Sequence, residues 1–481
     1  MRTIERVGQI CKSTIRFVQN LVCYNRGSCA RLEVVRKDFV EGELVPKLSF
    51  GTDGIRGKVG EFPFTQDVLR LLGQAIASWA VKKYEKQAPR VLLGHDTRVS
   101  CKDIKNNLSK GLRTAGLVIK DGGVLPTPAV LQVIKSDKNF DFGIVISASH
   151  NPYTDNGVKL FDCKTGKLTL EDEQIIVENF EKNKELLETV GDEVELWAHA
   201  QEIYKKNILK NFKPNFLYKK KIVLDCANGA TYKVAPEIFR ALGAEVMAVS
   251  IEPDGKNINE KCGALYPENM KKFISKDSVG FAFDGDGDRV IAVNGSGDVK
   301  DGDDLLSILL QHDDFKSEEE VAGTIMTNYG FENFLKKQGK RLARTKVGDK
   351  YVAAYLEKKN LILGGETSGH IIVRDYLSTG DGIFVALKSL ESMIEKDNWA
   401  INTFKKTPQA MLNIPVSKKR DLSESPYADI IDEHKAKLIN GRIVVRYSGT
   451  ENLLRIMVED QTDESAGRIA SSLGHNLEGL L

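Results

Sequence analysis

Four short segments of this sequence carry the residue types on which chemistry could depend. They are ISASHNP at 146–152, DGDGDR at 284–289, GETSGH at 365–370 and RYSGT at 446–450. In the first, Ser149 and His150 follow an apolar run and precede a turn proline. Taken alone, a serine in such a turn is more often a helix cap or a turn hydroxyl than a reactive group. Its interpretation therefore depends on the other three segments.

The second segment has the composition of a metal site. Its three carboxylates alternate with glycines and belong to Asp284, Asp286 and Asp288. Neighbouring carboxylates repel one another unless a cation neutralises them, and an all-oxygen ligand set suits Mg²⁺. A calcium EF-hand is excluded, because Arg289 stands where that loop needs glycine and Gly295 where it needs glutamate. A solvated acidic turn is the alternative, which the apolar runs on both sides disfavour.

The fourth segment combines groups that bind a phosphate dianion. It offers a guanidinium, two hydroxyls and a glycine amide, from Arg446, Ser448, Thr450 and Gly449. Arg455 lies close enough in sequence to join them. An ordinary strand-turn-helix corner is the alternative interpretation.

The third segment suits the recognition of sugar hydroxyls. Its polar side chains, which offer two acceptors and a donor between glycines, are Glu366, Ser368 and His370. A metal that faces a serine beside such a segment favours phosphoryl transfer, in which positioning and charge neutralisation supply most of the catalysis.

Short β-branched runs alternate with helix-length patterns and must position these residues. The runs are RVLLG at 90–94, FGIVIS at 142–147, KIVLD at 221–225, VGFAF at 279–283 and RIVVR at 442–446. The alternation predicts α/β units with mixed or largely parallel sheets, in which ligands gather at the C-terminal ends of strands. Ser149 and Asp284 both follow such a run, and we expect HDTR at 95–98 to brace the serine loop.

A length of 481 residues predicts three or four domains. We place an extension of unknown role at 1–48, a serine-bearing α/β domain at 49–205, a metal-binding α/β domain at 206–300, a sugar-binding α/β domain at 301–405 and a phosphate-binding α+β domain at 406–481. The Lys- and Asn-rich stretch 204–221 is interpreted as the linker between the first two α/β units.

Composition restricts the possible classes of protein. Because 69 Lys and Arg residues balance 67 Asp and Glu residues, no global field favours nucleic acid. No run approaches the roughly 18 to 20 apolar residues of a membrane span. Seven scattered cysteines form no metal or disulfide pattern, which favours the cytoplasm. The basic, amphipathic residues 1–48 could be an organelle-targeting peptide, a minority interpretation beside an accessory helix or an upstream start codon.

Together with FGTDGIRG at 50–57, the four segments resemble the α-D-phosphohexomutases in their residues and their order. The resemblance runs from about Phe50 to the C-terminus. It implies four domains around a central cleft, three related α/β domains with mixed sheets and a C-terminal α+β domain. The extension is a departure from the family, and so is Asn452, where the family loop usually has proline.

The resemblance also implies the roles of individual residues. Ser149 would be phosphorylated, and its phosphate would complete the Mg²⁺ coordination begun by the three aspartates. Groups expected beside that phosphate are His150, Arg289 and Arg56, together with Thr52. Lys159 would be a candidate proton shuttle, which as a base would need a lowered pKa. Glu366 and Ser368 would contact the sugar, in a cleft also lined by residues 345–351.

Loops at 254–264 and 344–349 resemble the glucosamine-phosphate branch of the family. This implies a reversible conversion of glucosamine 6-phosphate to glucosamine 1-phosphate through a phosphoserine enzyme and a bisphosphate, feeding UDP-N-acetylglucosamine synthesis. The partner is then a phosphorylated hexosamine, with no nucleic acid or membrane and a possible homodimer. Alternatives are a glucose- or mannose-phosphate mutase, a serine-dependent phosphomonoesterase and a non-catalytic phosphosugar-binding protein.

Overall fold

A computed structural model describes residues 47–183, 185–187, 194–448 and 452–480. Residues 47–481 form one compact unit. The expectation of a targeting or accessory helix at the N-terminus lies outside the described residues. None of the described helices combines the length and the apolar character that crossing a bilayer requires.

The first α/β domain contains six strands and four helices. They are β1 Ile55–Lys58, α1 Gln66–Tyr84, β2 Arg90–His95, α2 Cys101–Arg113, β3 Val118–Val124, α3 Thr127–Ser136, β4 Phe142–Ile146, β5 Asp155–Asp162, β6 Gly166–Lys167 and α4 Leu170–Lys182. The sheet order is β1-β5-β4-β2-β3, with β6 paired to β5. Strands β4, β2 and β3 are parallel, whereas β5 is antiparallel to both neighbours, so the sheet is mixed.

The second domain has five strands in the order β11-β10-β9-β7-β8. Its elements are α5 His199–Leu209, β7 Lys221–Asp225, α6 Val234–Ala241, β8 Glu245–Val249, two 3₁₀ turns at Gly263–Leu265 and Pro267–Phe273, β9 Ser278–Phe283, β10 Val290–Val293 and β11 Val299–Lys300. Strand β9 is parallel to β7 and antiparallel to β10. The loop at 284–289, which carries the three aspartates and is called the aspartate loop below, therefore connects neighbouring antiparallel strands.

The third and fourth domains complete the described chain. The third contains α7 Gly302–Leu309, β12 Glu320–Thr324, α8 Tyr329–Lys337, β13 Arg341–Thr345, α9 Asp349–Lys359, β14 Leu363–Gly365, β15 Ile371–Val373 and α10 Gly382–Glu395, with sheet order β13-β12-β14-β15. The fourth contains β16 Gln409–Pro415, α11 Tyr427–Lys435, β17 Arg442–Tyr447, β18 Leu453–Glu459 and α12 Asp463–Glu478, with antiparallel order β16-β18-β17. Three mixed α/β sheets and a small C-terminal sheet domain confirm the predicted fold class.

One hydrophobic cluster spans the first three domains, whereas the first domain has a second cluster and the fourth domain has its own. The shared core includes side chains such as Leu131 of α3, Phe281 of β9 and Leu387 of α10. A separate cluster contains Leu454 of β18 and Leu473 of α12. Burial of each such side chain stabilises the fold by roughly 1.5–3 kcal/mol. Because the cluster spans three domains, it fixes their loops relative to one another.

The linker prediction is wrong for residues 204–209, because helix α5 extends to Leu209. Tyr204 is fully buried in this helix, and its hydroxyl donates to the Asp381 carboxylate at 3.0 Å. The boundary proposed at residue 205 therefore falls inside a packed helix.

Candidate active site

Ser149 lies in the loop after β4, in the middle of the first sheet. Its φ is +54°, a left-handed conformation that costs a non-glycine residue roughly 1–2 kcal/mol. The side chain is fully buried, and its Oγ donates to Asp284 Oδ2 at 2.6 Å. His150 Nδ1 lies 3.3 Å from the same Oγ. The serine and the first carboxylate of the aspartate loop are thus in direct contact across two domains.

Arg98 holds the serine loop in this conformation. Its guanidinium donates to four backbone oxygens, those of Ser149, Asn151, Pro152 and Asp155. Its Nε also pairs with Asp96 Oδ2 at 2.8 Å, and both side chains are fully buried. Asp96 in turn accepts a hydrogen bond from Ser147 Oγ at 2.6 Å. The prediction that residues 95–98 brace the serine loop is confirmed for Asp96 and Arg98, whereas the Thr97 hydroxyl donates to the backbone oxygen of Asn228 in the second domain.

The second domain supports the same loop from its own side. Asn259 Nδ2 donates to the backbone oxygens of Ser149 at 2.9 Å and Asn151 at 3.2 Å. A Cβ on Gly285 would lie only 2.5 Å from the Ser149 oxygen. Glycine is therefore required at this position for the aspartate loop to approach the serine.

The three aspartates converge as the sequence predicted. Each has an oxygen within 4.8 Å of the others, and all three are buried. Burial and the charges of Asp288 and Asp286 raise the pKa of Asp284 well above its usual range. Thr127, at the start of α3, fixes the loop by donating its hydroxyl to Asp286 Oδ2 at 2.5 Å.

Two carboxylate oxygens of this cluster point to a cation. Within the described residues, Oδ1 of Asp286 and Oδ1 of Asp288 are buried without a hydrogen-bond partner. Burying such an oxygen without compensation is costly, and an oxygen-ligated divalent cation would satisfy both atoms. The residues present therefore fit a Mg²⁺ site.

Lys159, on β5, contacts the same cluster. Its Nζ lies 2.5 Å from Asp53 Oδ2, 2.7 Å from Asp286 Oδ2 and 3.3 Å from Asp288 Oδ2. Burial alone would lower the pKa of Lys159, but these three carboxylates hold it well above its usual range. The lowered pKa that a general base would need is therefore absent in this arrangement, in which Lys159 is a charged partner of the aspartates.

Three further basic groups flank the serine. Burial and the positive charges of Arg289 and Arg56 lower the pKa of His150 to about 3, so the imidazole is neutral near pH 7. Arg56 Nη2 pairs with Asp53 at 2.8 Å, and its Nη1 reaches the Ala148 oxygen at 3.4 Å. Arg289 is held by its backbone N–H, which donates to Asp284 Oδ1 at 3.2 Å, and its buried Nε has no hydrogen-bond partner among the described residues.

The GETSGH loop meets the loop before α9. Glu366 is buried, and its Oε1 accepts a hydrogen bond from Gly348 N at 2.9 Å. Ser368 is exposed. His370 is only 2% exposed, with its Nε2 3.6 Å from Asp349 Oδ2 and 4.0 Å from Asp288 Oδ2. Of the three predicted sugar contacts, His370 thus lies against the aspartate cluster, and Ser368 faces solvent.

The predicted phosphate loop lies in the C-terminal domain. Arg446 and Arg455 are register partners on β17 and β18. Burial and the charge of Arg455 lower the pKa of Arg446, which is the effect expected of two guanidiniums placed together to receive an anion. Ser448 is buried, and Lys419 Nζ donates to its backbone oxygen at 2.9 Å. Gly449 and Thr450 lie outside the described residues.

Sequence reasoning missed a chain of ion pairs that joins the first and third domains. Lys167 Nζ pairs with Asp349 and lies 3.4 Å from Asp53 Oδ1, while Asp53 also pairs with Lys159. Burial alone would lower the pKa of Lys167, but Asp349 and Asp53 hold it above its usual range. Asp53 and Asp349 did lie in segments that the sequence singled out, whereas nothing around Lys167 marked it as part of the site.

Family models match almost the whole described chain. Domains I, II, III and IV of the phosphoglucomutase/phosphomannomutase family match residues 47–187, 200–297, 301–411 and 411–473. The chain belongs to this family, as the resemblance of its motifs to the phosphohexomutases predicted.

Individual relatives define the similarity further. The chain is 40% identical to the phosphoglucosamine mutase of Thermodesulfovibrio yellowstonii, over 88% of this chain and 97% of the relative. It is 39% identical to the phosphoglucosamine mutase of Chlamydia trachomatis, over 88% and 95% of the two chains.

Solved structures share the fold at lower identity. A phosphoglucomutase/phosphomannomutase family protein from Burkholderia thailandensis has a TM-score of 0.73 at 22% identity, covering 89% of this chain and 97% of its own. The N-acetylphosphoglucosamine mutase of Aspergillus fumigatus, in complex with GlcNAc-6P and magnesium, has a TM-score of 0.61 at 16% identity, covering 90% and 96%.

Proposed function

We propose that this protein is a Mg²⁺-dependent mutase that interconverts glucosamine 6-phosphate and glucosamine 1-phosphate. The observation that carries the proposal is the 2.6 Å contact between Ser149 Oγ and a carboxylate of the buried aspartate cluster. Membership of the family and about 40% identity to phosphoglucosamine mutases over most of the chain support the reaction and the amino sugar. A phosphorylated hexosamine is then the substrate, and a reducing cytoplasm suits the four free cysteines among the described residues.

Ser149 is the group that would carry the phosphoryl group. In the forward direction, the free C1 hydroxyl oxygen of glucosamine 6-phosphate attacks phosphorus on Ser149, and the bond from phosphorus to Oγ breaks. A base takes the hydroxyl proton, the departing Oγ takes up a proton, and the product is a sugar bisphosphate. After the sugar turns over, Oγ loses its proton and attacks the phosphorus on O6. The bond from O6 to phosphorus breaks, O6 takes up a proton, and glucosamine 1-phosphate is left beside the phosphorylated serine. Asp284, Asp286 and Asp288 would hold Mg²⁺, which supplies charge neutralisation at the transferring phosphoryl group when bound.

The basic groups around Ser149 would stabilise the charge of its phosphate. Arg289 has a buried Nε available for a phosphate oxygen, and Arg56 lies beside the Ala148 oxygen in the same loop. His150 is neutral near pH 7, so one of its ring nitrogens can donate a hydrogen bond while the other accepts one. Lys159 would pair with three aspartates and release or accept a proton only if these carboxylates moved away.

Substrate binding would use the third and fourth domains. Glu366 and Ser368 would contact sugar hydroxyls, while Arg446, Ser448, Gly449, Thr450 and Arg455 would hold the phosphate that does not react. The conjunction of Arg446 and Arg455 supports this part of the proposal, because two adjacent guanidiniums favour a dianion. His370 would position Asp288 and Asp349 and would not touch the sugar.

A coupled assay with purified protein tests the proposal. Glucosamine, glucose, mannose and N-acetylglucosamine 6-phosphates are compared, and the intact mass is measured for one phosphate that maps to Ser149. We expect kcat/KM for the glucosamine phosphate to exceed that for the glucose or mannose phosphate by at least about tenfold, or ~1.4 kcal/mol of differential transition-state binding. Equal or reversed ratios would transfer the assignment to the glucose and mannose branch.

The variant Ser149→Ala separates the mechanism from its rivals. It should fold normally and lose turnover, because the hydroxyl that contacts Asp284 and would carry the phosphoryl group is removed. Full turnover without the serine would end the phosphoserine mechanism. Release of inorganic phosphate in place of a sugar 1-phosphate would identify a phosphomonoesterase, and binding without any turnover a phosphosugar-binding protein.

A further inference from the structure

A second cavity, of about 730 Å³, lies between the first and third domains. One wall is formed by β5, the β5–β6 hairpin and the start of α4, and the other by α9 and residues 372–378. Ser149, the three metal-site aspartates, Glu366 and Arg446 are not among its lining residues. It adjoins the reaction site through Thr52, Asp53, Lys159 and Lys167 and through residues 350–351, which belong to both.

The cavity is basic. Its outer cations belong to Lys135, Lys164, Lys350 and Arg374. Among the described residues, the three lysines have no carboxylate oxygen within 4.0 Å, and the Arg374 guanidinium is bonded to Asn360 with Asp375 only at 3.9 Å. The lining acids Glu173 and Glu357 do not pair with them at that distance. This surplus of uncommitted positive charge favours an anionic ligand.

Contacts place three of these cations. Lys135 Nζ reaches Ser378 Oγ at 3.5 Å, and a Cβ on Gly166 would lie 2.2 Å from the same oxygen. The tip of the β5–β6 hairpin therefore closes on residue 378, with Lys135 and Lys164 on that side. Lys350 Nζ lies 3.3 Å from the backbone oxygen of Gly51.

Apolar side chains form the rest of the cavity. Its lining includes Phe50, Leu160, Phe161, Leu356 and Ile372. Leu170, also in the lining, is 73% exposed, and Tyr351 is 37% exposed. Ligand pockets of this size combine such apolar walls with a few placed polar groups. A flat apolar group could pack against the exposed side chains of Leu170 and Tyr351.

We propose that this cavity is a second binding site for a small molecule that joins a phosphate or diphosphate group to an apolar, aromatic body. The phosphate would lie at Lys135 and Lys164, and the aromatic ring against Leu170 and Tyr351. Lys167, which also lines the cavity, is paired with Asp349 and Asp53 and is therefore not counted among the cations that would hold the phosphate.

Calorimetric titration of the full-length protein in EDTA tests the site, with ADP as the aromatic diphosphate. Adenosine, ribose 5-phosphate and inorganic phosphate are the partial probes. ADP should bind with one equivalent, and saturating glucosamine 6-phosphate should not displace it. The double variant Lys135→Ala/Lys164→Ala should bind ADP at least about tenfold more weakly, equivalent to ~1.4 kcal/mol. The matched control is Lys358→Ala, an exposed lysine in the last turn of α9 outside the lining, which should bind as the wild type does.

Other results would overturn the proposal. ADP binding that survives in the double variant but is lost in Arg446→Ala would belong to the reaction cleft. Equal affinity for inorganic phosphate and ADP would refute the aromatic half of the site. No binding of any probe at millimolar concentration would refute the site itself. Since Lys135 and Lys164 touch no group of the reaction cleft, their variants should keep glucosamine phosphate turnover in the absence of ADP, and a failed mutase assay would leave these binding results unaffected.

Discussion

Replacement of Arg98 by methionine should both destabilise the protein and lower kcat about 100-fold, although Arg98 contacts no reacting atom. The guanidinium is fully buried and supports four backbone oxygens of the serine loop while it pairs with Asp96. Removing one partner of a buried ion pair typically costs about 3–5 kcal/mol, because the other charge stays buried and uncompensated. Methionine keeps much of the volume, so most of that loss is electrostatic.

The effect on rate follows from the backbone of Ser149. Its left-handed conformation is held by Arg98 and Asn259, which both donate to the Ser149 oxygen at 2.9 Å. Without Arg98 the loop can relax, and a displacement of Oγ by about 1 Å is enough to lower kcat about 100-fold. KM should change little, since Arg98 does not line the substrate cleft.

The assay combines urea denaturation with steady-state kinetics on Arg98→Met, the double variant Asp96→Asn/Arg98→Met and the control Arg90→Met. Arg90 is the first residue of β2, the strand that precedes Arg98, and it is exposed. Its Nη1 donates to Asn139 Oδ1 at 3.2 Å. The double variant should recover part of the stability, because the buried charge is gone, yet keep the lowered kcat. An Arg98→Met protein that is as stable as the control and turns over normally would refute the reasoning.

Three other perturbations test separate parts of the site and fold. Asp286→Asn should lower kcat by orders of magnitude, since a ligand charge is lost, and full activity in the presence of EDTA would show that the metal assignment is wrong. Arg446→Ala should raise KM strongly, because a charge-assisted contact to the substrate phosphate is lost. Steady-state kinetics unchanged from wild type would show that the loop at 446–450 has a structural role and does not bind phosphate. Burial raises the pKa of Asp381 to about 6 from 3.8. Between these two pH values the folded state retains a proton that the unfolded chain releases, so the free energy of unfolding falls as pH rises from about 4 to 6. Asp381→Asn should remove roughly 3 kcal/mol of that pH dependence, measured as denaturation midpoints across this range, and an unchanged slope would contradict the shift.

The sequence predicted the elements that position the site better than the contacts within it. All five β-branched runs are strands, and the serine and aspartate loops follow β4 and β9 as expected. A β-branched run and the polar residues that directly follow it are local features of the sequence. Such features predict a strand and the loop after it without knowledge of distant contacts. The stretch 204–209 was misjudged because its lysines and asparagines suggested solvent, whereas one buried side chain, Tyr204, fixes the helix to α10 through Asp381.

Long-range charge pairing could not be read from spacing. Lys159 was expected to need a lowered pKa, yet its partners Asp53 and Asp286 lie 106 and 127 positions away and raise that pKa. The loop at 254–259 was predicted as a specificity segment by resemblance, and its Asn259 additionally supports the serine loop, which spacing did not predict. Arg344 likewise donates to the backbone of Thr324 and Thr327, which fixes the third domain. In each case the partner, not the residue type, determines the role.

The charge balance of the site links metal binding to the state of the serine. Five carboxylates at the site, those of Asp53, Asp284, Asp286, Asp288 and Asp349, stand against the four cations Arg56, Lys159, Lys167 and Arg289. A phosphate on Ser149 would add a charge of about −1.5 to −2, close to the charge that one Mg²⁺ would offset. Because unbalanced charge in a buried site is costly, each should favour binding of the other. Phosphorylated protein should therefore bind Mg²⁺ more tightly than dephosphorylated protein or Ser149→Ala in calorimetric titrations. Equal affinities in all three would mean that the aspartates hold the metal without help from the phosphate, and that the charges of the cluster are balanced by Lys159 and Arg289 alone.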